Sequence, residues 1–163
     1  MAKVAVVFHS GYGHTLRVAQ VIAQAADAEL VAIDAEGNLP EGGWEALQAA
    51  RAIVFGSPTY MGGPSWQFKK FADASSKPWF VKAWRDKLAA GFTCGGEPSG
   101  DKLGVLLQLA IFAAQHGMKP DADLFLDEDV ADQIRARRDP VGSLFGQLGP
   151  DIANRIDTHS PPL

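Results

Sequence analysis

Sulfur chemistry is all but absent from this chain, since Cys94 is the only cysteine among its 163 residues. One thiol cannot form an intrachain disulfide or a cysteine-based zinc site, and no other metal-ligand set is expected. Concentrated positive charge is missing too. Lysine and arginine total 15 against 19 acidic residues, the formal net charge is −4, and the basic residues gather only at Arg135, Arg137 and Arg138. A phosphate backbone wants a concentrated basic face, so nucleic acid is not an expected partner. Apolar runs fall well short of the roughly 20 residues of a membrane span. The opening MAKVAVV shows neither an apolar signal core nor a small-residue cleavage site. The expected setting is the cytoplasm, away from any membrane.

What is present is an ordinary globular composition, 47% hydrophobic and 21% charged, with a length that suits one domain over residues 1–163. Lys3 to Phe8 is apolar and rich in valine, as a strand covered on both faces must be. Leu16, Ala19, Ile22, Ala23 and Ala26 then recur at helical spacing. Further strands are predicted at Glu29–Ile33, Arg51–Phe55 and Lys87–Cys94, with helices over Trp44–Ala50, Trp66–Ala74 and about Leu103–Ala114. A fifth strand should lie within Met118–Leu126, although Pro120 interrupts it. Strands alternating with helices in this way predict a doubly wound α/β sheet with parallel strands.

Three loops of unusual composition follow the carboxyl ends of strands, where open parallel sheets bind ligands. The first, SGYGHT, places Ser10, Gly11, Tyr12, Gly13, His14 and Thr15 between a strand and a helix. It lacks the lysine of GxxxxGK[ST] and the spacing of GxGxxG, so neither a nucleoside triphosphate site nor an ordinary dinucleotide site is predicted. Hydroxyls, glycine amides and a helix amino end would suit a phosphate monoester. The same residues also read as a glycine turn with Ser10 or Thr15 capping the helix, and both readings stand. The second loop contains Ser57, Pro58, Thr59, Tyr60, Met61, Gly62 and Gly63, and the third Thr93, Cys94, Gly95, Gly96 and Glu97. Each alone is a tight turn. Together at three strand ends they favour a cofactor with a flat ring and a terminal phosphate.

The segments KVAVVFHSGYGHT, AIVFGSPTYMGG, KLAAGFTCGGEPSGDK and HGM occur in that order, spanning most of the chain up to Met118. They resemble the flavodoxin-like flavoproteins, and most nearly the WrbA-type NAD(P)H:quinone oxidoreductase family. The resemblance implies a flavodoxin-like five-stranded parallel sheet of order 2-1-3-4-5 with FMN at its edge. It implies that Ser10, Gly11, Tyr12, Gly13, His14 and Thr15 hold the FMN phosphate. Pro58, Thr59, Tyr60, Met61 and Gly62 would line part of the ring, and Thr93, Cys94, Gly95, Gly96 and Glu97 the ribityl chain and the ring's other edge. His116 and Trp79 match residues near the substrate cavity, Trp79 at that of an adjacent subunit. Their plain alternatives are a dipole partner at a helix end for His116 and a packing anchor for Trp79.

The chain also departs from the family. MKPDADLFLDE is more polar and broken than a fifth strand of that kind, and the closing helix is reduced at most to Asp151–Ile156. Such a shortened C-terminal region would leave apolar sheet surface for a partner subunit, so a homo-oligomer, dimer or tetramer, is expected. The implied activity is FMN-dependent transfer of two electrons from NADH or NADPH to quinones, with Tyr60, Trp79 and His116 walling the substrate pocket. It requires no protein nucleophile, and no Ser–His–Asp or Cys–His set is evident. The alternatives are a flavodoxin-type electron carrier and a non-catalytic FMN-binding protein.

Overall fold

Strand β1, Val4–His9, is buried along its whole length, as its unbroken apolar run requires. The chain, described here from a computed structural model over residues 4–96 and 101–126, continues through α1 (His14–Ala26), β2 (Glu29–Ile33), α2 (Gly43–Ala49) and β3 (Ala52–Tyr60). After a two-residue strand β4 (Gly63–Pro64) come α3 (Trp66–Ala74), α4 (Ser76–Phe80), β5 (Leu88–Cys94), α5 (Lys102–Gln115) and β6 (Lys119–Leu126). The parallel strands run in the order β2-β1-β3-β5-β6, with β4 attached antiparallel to the end of β3. Counting only the five parallel strands, this is the predicted order 2-1-3-4-5. The fold is flavodoxin-like α/β.

Alternation along β1 divides the core in two. Val4, Val6 and Phe8 pack with Val18, Ala19 and Ile22 of α1 on one face. Ala5 and Val7 face the other layer, where Phe55, Phe68, Phe71, Trp84 and Leu109 form the larger cluster. There Trp84 stacks on Phe71 and meets Phe112 edge-on, with ring centroids 6.4 and 6.3 Å apart, arrangements that add to simple burial.

The third strand and a short helix after α3 differ from the sequence reading. The third strand does not stop at Phe55 but continues to Tyr60, because its pairing with β5 extends to Pro58 opposite Cys94. Pro58 is accommodated because β3 has by then outrun β1, whose last pair is Phe8 with Gly56, leaving no ladder on that edge. The strand then reverses through Met61 (φ 49°) and Gly62 (φ 76°) into β4, the left-handed pair that a two-residue hairpin demands. Helix α4 is one short turn with no buried residue, so no apolar period announces it. The polar fifth strand does form as predicted, an outer strand paired to β5 with Pro120 opposite Ala89 and a register shift between Ala89 and Gly91. The closing helix predicted at Asp151–Ile156 and the arginines at 135–138 lie outside the described residues.

Lys87 illustrates how the layers are tied. Its Nζ donates to the carbonyls of Leu47, Gln48 and Ala50 at 2.9, 2.5 and 2.6 Å, satisfying acceptors that the end of α2 leaves open. Burial lowers its pKa to about 8. Replacing it by methionine keeps the stem and removes the donors, so Lys87→Met is expected to cost about 2 kcal/mol in urea unfolding. An unchanged midpoint would show that water replaces the ammonium without loss.

Candidate functional site

Because β1, β3 and β5 are neighbours in the sheet, the loops after them share one edge. In the first, Ser10 Oγ accepts hydrogen bonds from the amides of Gly13 and Leu16, both at 3.1 Å. Gly13 occupies the cap position of α1 with φ 91° and no side-chain cap of its own, a conformation that suits glycine. The capping reading of Ser10 is therefore what the fold shows. It does not displace the phosphate reading, because a hydroxyl that accepts two bonds still has its proton to donate. The amides of His14 and Thr15 open the helix without a carbonyl one turn behind them in it. No acid lies in that first turn, so the positive helix end is unneutralised. Thr15 is buried beneath the loop, and His14 points to solvent.

The second loop reaches across to the first. A Cβ built on Gly11 would lie 2.3 Å from the Tyr60 hydroxyl, so a side chain there would have to push the tip of the Tyr60 ring aside. Tyr12, 86% exposed, meets Tyr60 edge-on with centroids 6.3 Å apart. Burial, and then the neighbouring Tyr12, raise the Tyr60 pKa. Met61 projects fully into solvent from the hairpin, and Gly62 backs onto Asp101. Pro58 is buried in β3.

The third loop is joined to the second by a 2.7 Å hydrogen bond between Thr59 and Thr93 hydroxyls. Cys94 is buried at the end of β5. Gly96 has open space where a side chain would be, whereas one on Gly95 would touch Lys102 and Thr59. Glu97 lies outside the described residues. The three loops thus assemble a set of amide and hydroxyl donors with the Tyr12–Tyr60 pair beside them. This donor set fits a phosphate-bearing flat cofactor such as FMN. Among the described residues no group of His, Cys, Asp and Glu could hold a metal ion.

His116 and Trp79 are not brought to this place within the protomer. Helix α5 starts beside the third loop and runs back along the sheet, so its 14 residues carry His116 about 20 Å away, to the amino ends of the strands. There the ring is 5% exposed, lies 4.3 Å from the Trp84 ring, and bonds Ser75 Oγ through Nε2 at 2.8 Å. Trp79 is half-exposed and donates from Nε1 to the Gln115 carbonyl at 2.8 Å. Tyr60 alone of the three predicted pocket walls stands with the loops. Two residues not singled out in the sequence do stand near them. His9, directly before Ser10, is buried with Nδ1 unpaired, and burial lowers its pKa. Lys102 is buried beneath Gly95. A lysine opening an apolar helix, against the helix dipole, was the available signal for the second.

The family described as NADPH-dependent FMN reductase matches residues 3–129. The chain belongs to that family. As a member of it, this protein is similar to flavodoxin FldP of Pseudomonas aeruginosa, at 55% identity over 117 residues, which is 72% of this chain and 64% of FldP. The chain therefore spans less than two thirds of that relative. It is also 31% identical to an NAD(P)H dehydrogenase (quinone) of Archaeoglobus fulgidus, over 72% of this chain and 74% of that one. Among solved structures, a flavodoxin, WrbA-like protein from Agrobacterium tumefaciens superposes with a TM-score of 0.79 at 45% identity, covering 98% of this chain and 100% of the other. The resemblance to flavodoxin-like FMN proteins of the WrbA type holds.

Proposed function

We propose that this member of the FMN reductase family is an oxidoreductase that uses FMN to pass two electrons from NADH or NADPH to a quinone or similar flat acceptor in the cytoplasm. The observation that carries the reading is the convergence of three loops at adjacent strand ends, with amide and hydroxyl donors at the start of α1 and the Tyr12–Tyr60 pair beside them. Ser10, Thr15 and the first amides of α1 would hold the phosphate. Thr59, Tyr60, Met61 and the backbone at Thr93–Gly96 would border the ring and ribityl chain. When bound, FMN supplies the reversible uptake of two electrons, and the protein supplies orientation and shielding. Tyr60, with its hydroxyl on Gly11, is the wall of the acceptor pocket contributed by the same protomer. Trp79, half-exposed at the far edge, can serve only the pocket of a neighbouring copy. The exposed Leu103, Leu107 and Ile111, one turn apart along α5, support such a homo-oligomer.

A flavodoxin-type electron carrier is the second reading, favoured by the greater identity to flavodoxin FldP than to the quinone dehydrogenase. Anaerobic titration separates the two. For the oxidoreductase, NADPH or NADH bleaches the protein-bound FMN within a turnover and added benzoquinone restores the yellow colour repeatedly. Slow nucleotide oxidation, with bleaching only through an added reductase protein, would favour the carrier. Failure to take up FMN at all would remove both.

A further inference from the structure

Lys102 is buried at 2% exposure, which is unusual for a lysine. Its position is unfavourable on two counts. Withdrawing an ammonium from water is costly, and the first residue of α5 faces the positive pole of its own helix. The surrounding chain nevertheless fixes it there. A Cβ on Gly95 would lie 3.3 Å from Lys102 Cε, 3.6 Å from its Cγ and 3.5 Å from Thr59 Cβ. The stem therefore runs against Gly95, near Thr59, and the ammonium, one bond past Cε, is buried close to Gly95. The first turn of α5 is held against the hairpin, where a side chain on Gly104 would press on the Gly62 carbonyl at 3.3 Å. Lys102 is engaged by interactions of its own in the fold.

We propose that Lys102 is a buried cation close to Gly95 that favours reduced over oxidised FMN and so sets the potential at which this protein works. The inference rests on the FMN reading above. At neutral pH a flavin takes up two electrons and one proton on full reduction, which adds one negative charge. A buried cation acts on that charge through a lower effective dielectric than one in water. Oxidised FMN, whose ring is neutral, gains little from it.

The test compares wild type, Lys102→Met, Lys102→Gln and Lys102→Arg, titrated anaerobically with oxidised FMN and with dithionite-reduced FMN, with midpoints checked against redox dyes. Both neutral variants are expected to weaken reduced FMN tenfold more than oxidised FMN, which lowers the two-electron midpoint by about 30 mV. Lys102→Arg should retain the wild-type ratio. Equal weakening of both forms, or a ratio that Arg fails to preserve, would make Lys102 a structural residue. So would failure of both neutral variants to fold or to bind any FMN. A wild-type protein that binds no FMN would instead sink the underlying reading, a result distinct from wild-type binding with an unmoved ratio.

Discussion

Acidification from pH 6.5 to about 4 is expected to remove about 3 kcal/mol of folding stability through His116 alone. The ring is packed between Trp84 and Phe112, with centroids 4.3 and 5.0 Å away. Ser75 Oγ already donates to the Ala72 carbonyl at 2.6 Å, so toward His116 it acts as acceptor and Nε2 carries the hydrogen. Nδ1 is left buried without a partner. Protonation there would put a charge among aromatic rings with no acceptor, and desolvation lowers the pKa to about 4. The sign follows from linkage. The unfolded chain binds a proton as pH falls through 6.5, the folded chain only near 4, so stability is full above that window, drops within it and levels below. Denaturant unfolding across the window should give a steep curve for wild type and a flatter one for His116→Phe. His9, also lowered by burial, contributes to both, so the difference between the curves isolates His116. Parallel curves would show that the ring finds water or an acceptor when charged.

The fate of His116 also shows how far the residues could be read without coordinates. The strands and helices followed from periodicity and their order in the sheet from the resemblance, and the three loops fell where strand ends must place them. Ser10 and Gly13 announced a tight helix entry by residue type, and the structure adds only who donates to whom. His116 and Trp79 could not be placed that way. Helical spacing says that His116 ends α5, but not that a 14-residue helix carries it to the opposite edge and beneath Trp84. The extension of β3 through Pro58 was hidden for a related reason. A proline in a strand is read as a break, yet whether its missing donor matters depends on which neighbour is still alongside. Lys102 was legible as an oddity, a cation at the start of an apolar helix. Its burial under Gly95 was not, because that contact joins two loops through the third dimension.

Removing the two hydroxyls of the first loop should weaken FMN by about 3 kcal/mol, a loss of 100-fold or somewhat more in affinity, since each bond to a charged oxygen contributes about 1.5 kcal/mol or more. The two residues separate by design. Thr15→Val keeps a β-branched shape under the loop and removes only the hydroxyl, so its loss should fall on the ligand and leave folding intact. Ser10→Ala also deprives the Gly13 and Leu16 amides of their acceptor, which should cost α1 about 1 kcal/mol in addition. Riboflavin, which has the ring and ribityl chain without the phosphate, distinguishes the causes. If the hydroxyls meet phosphate oxygens, the double variant binds FMN little better than riboflavin, while its riboflavin affinity stays within a few-fold of wild type. If both ligands weaken in parallel, the substitutions have loosened the strand-to-helix turn itself. If FMN binds as before, the anion docks elsewhere, and the assignment of Ser10–Thr15 as its cradle fails.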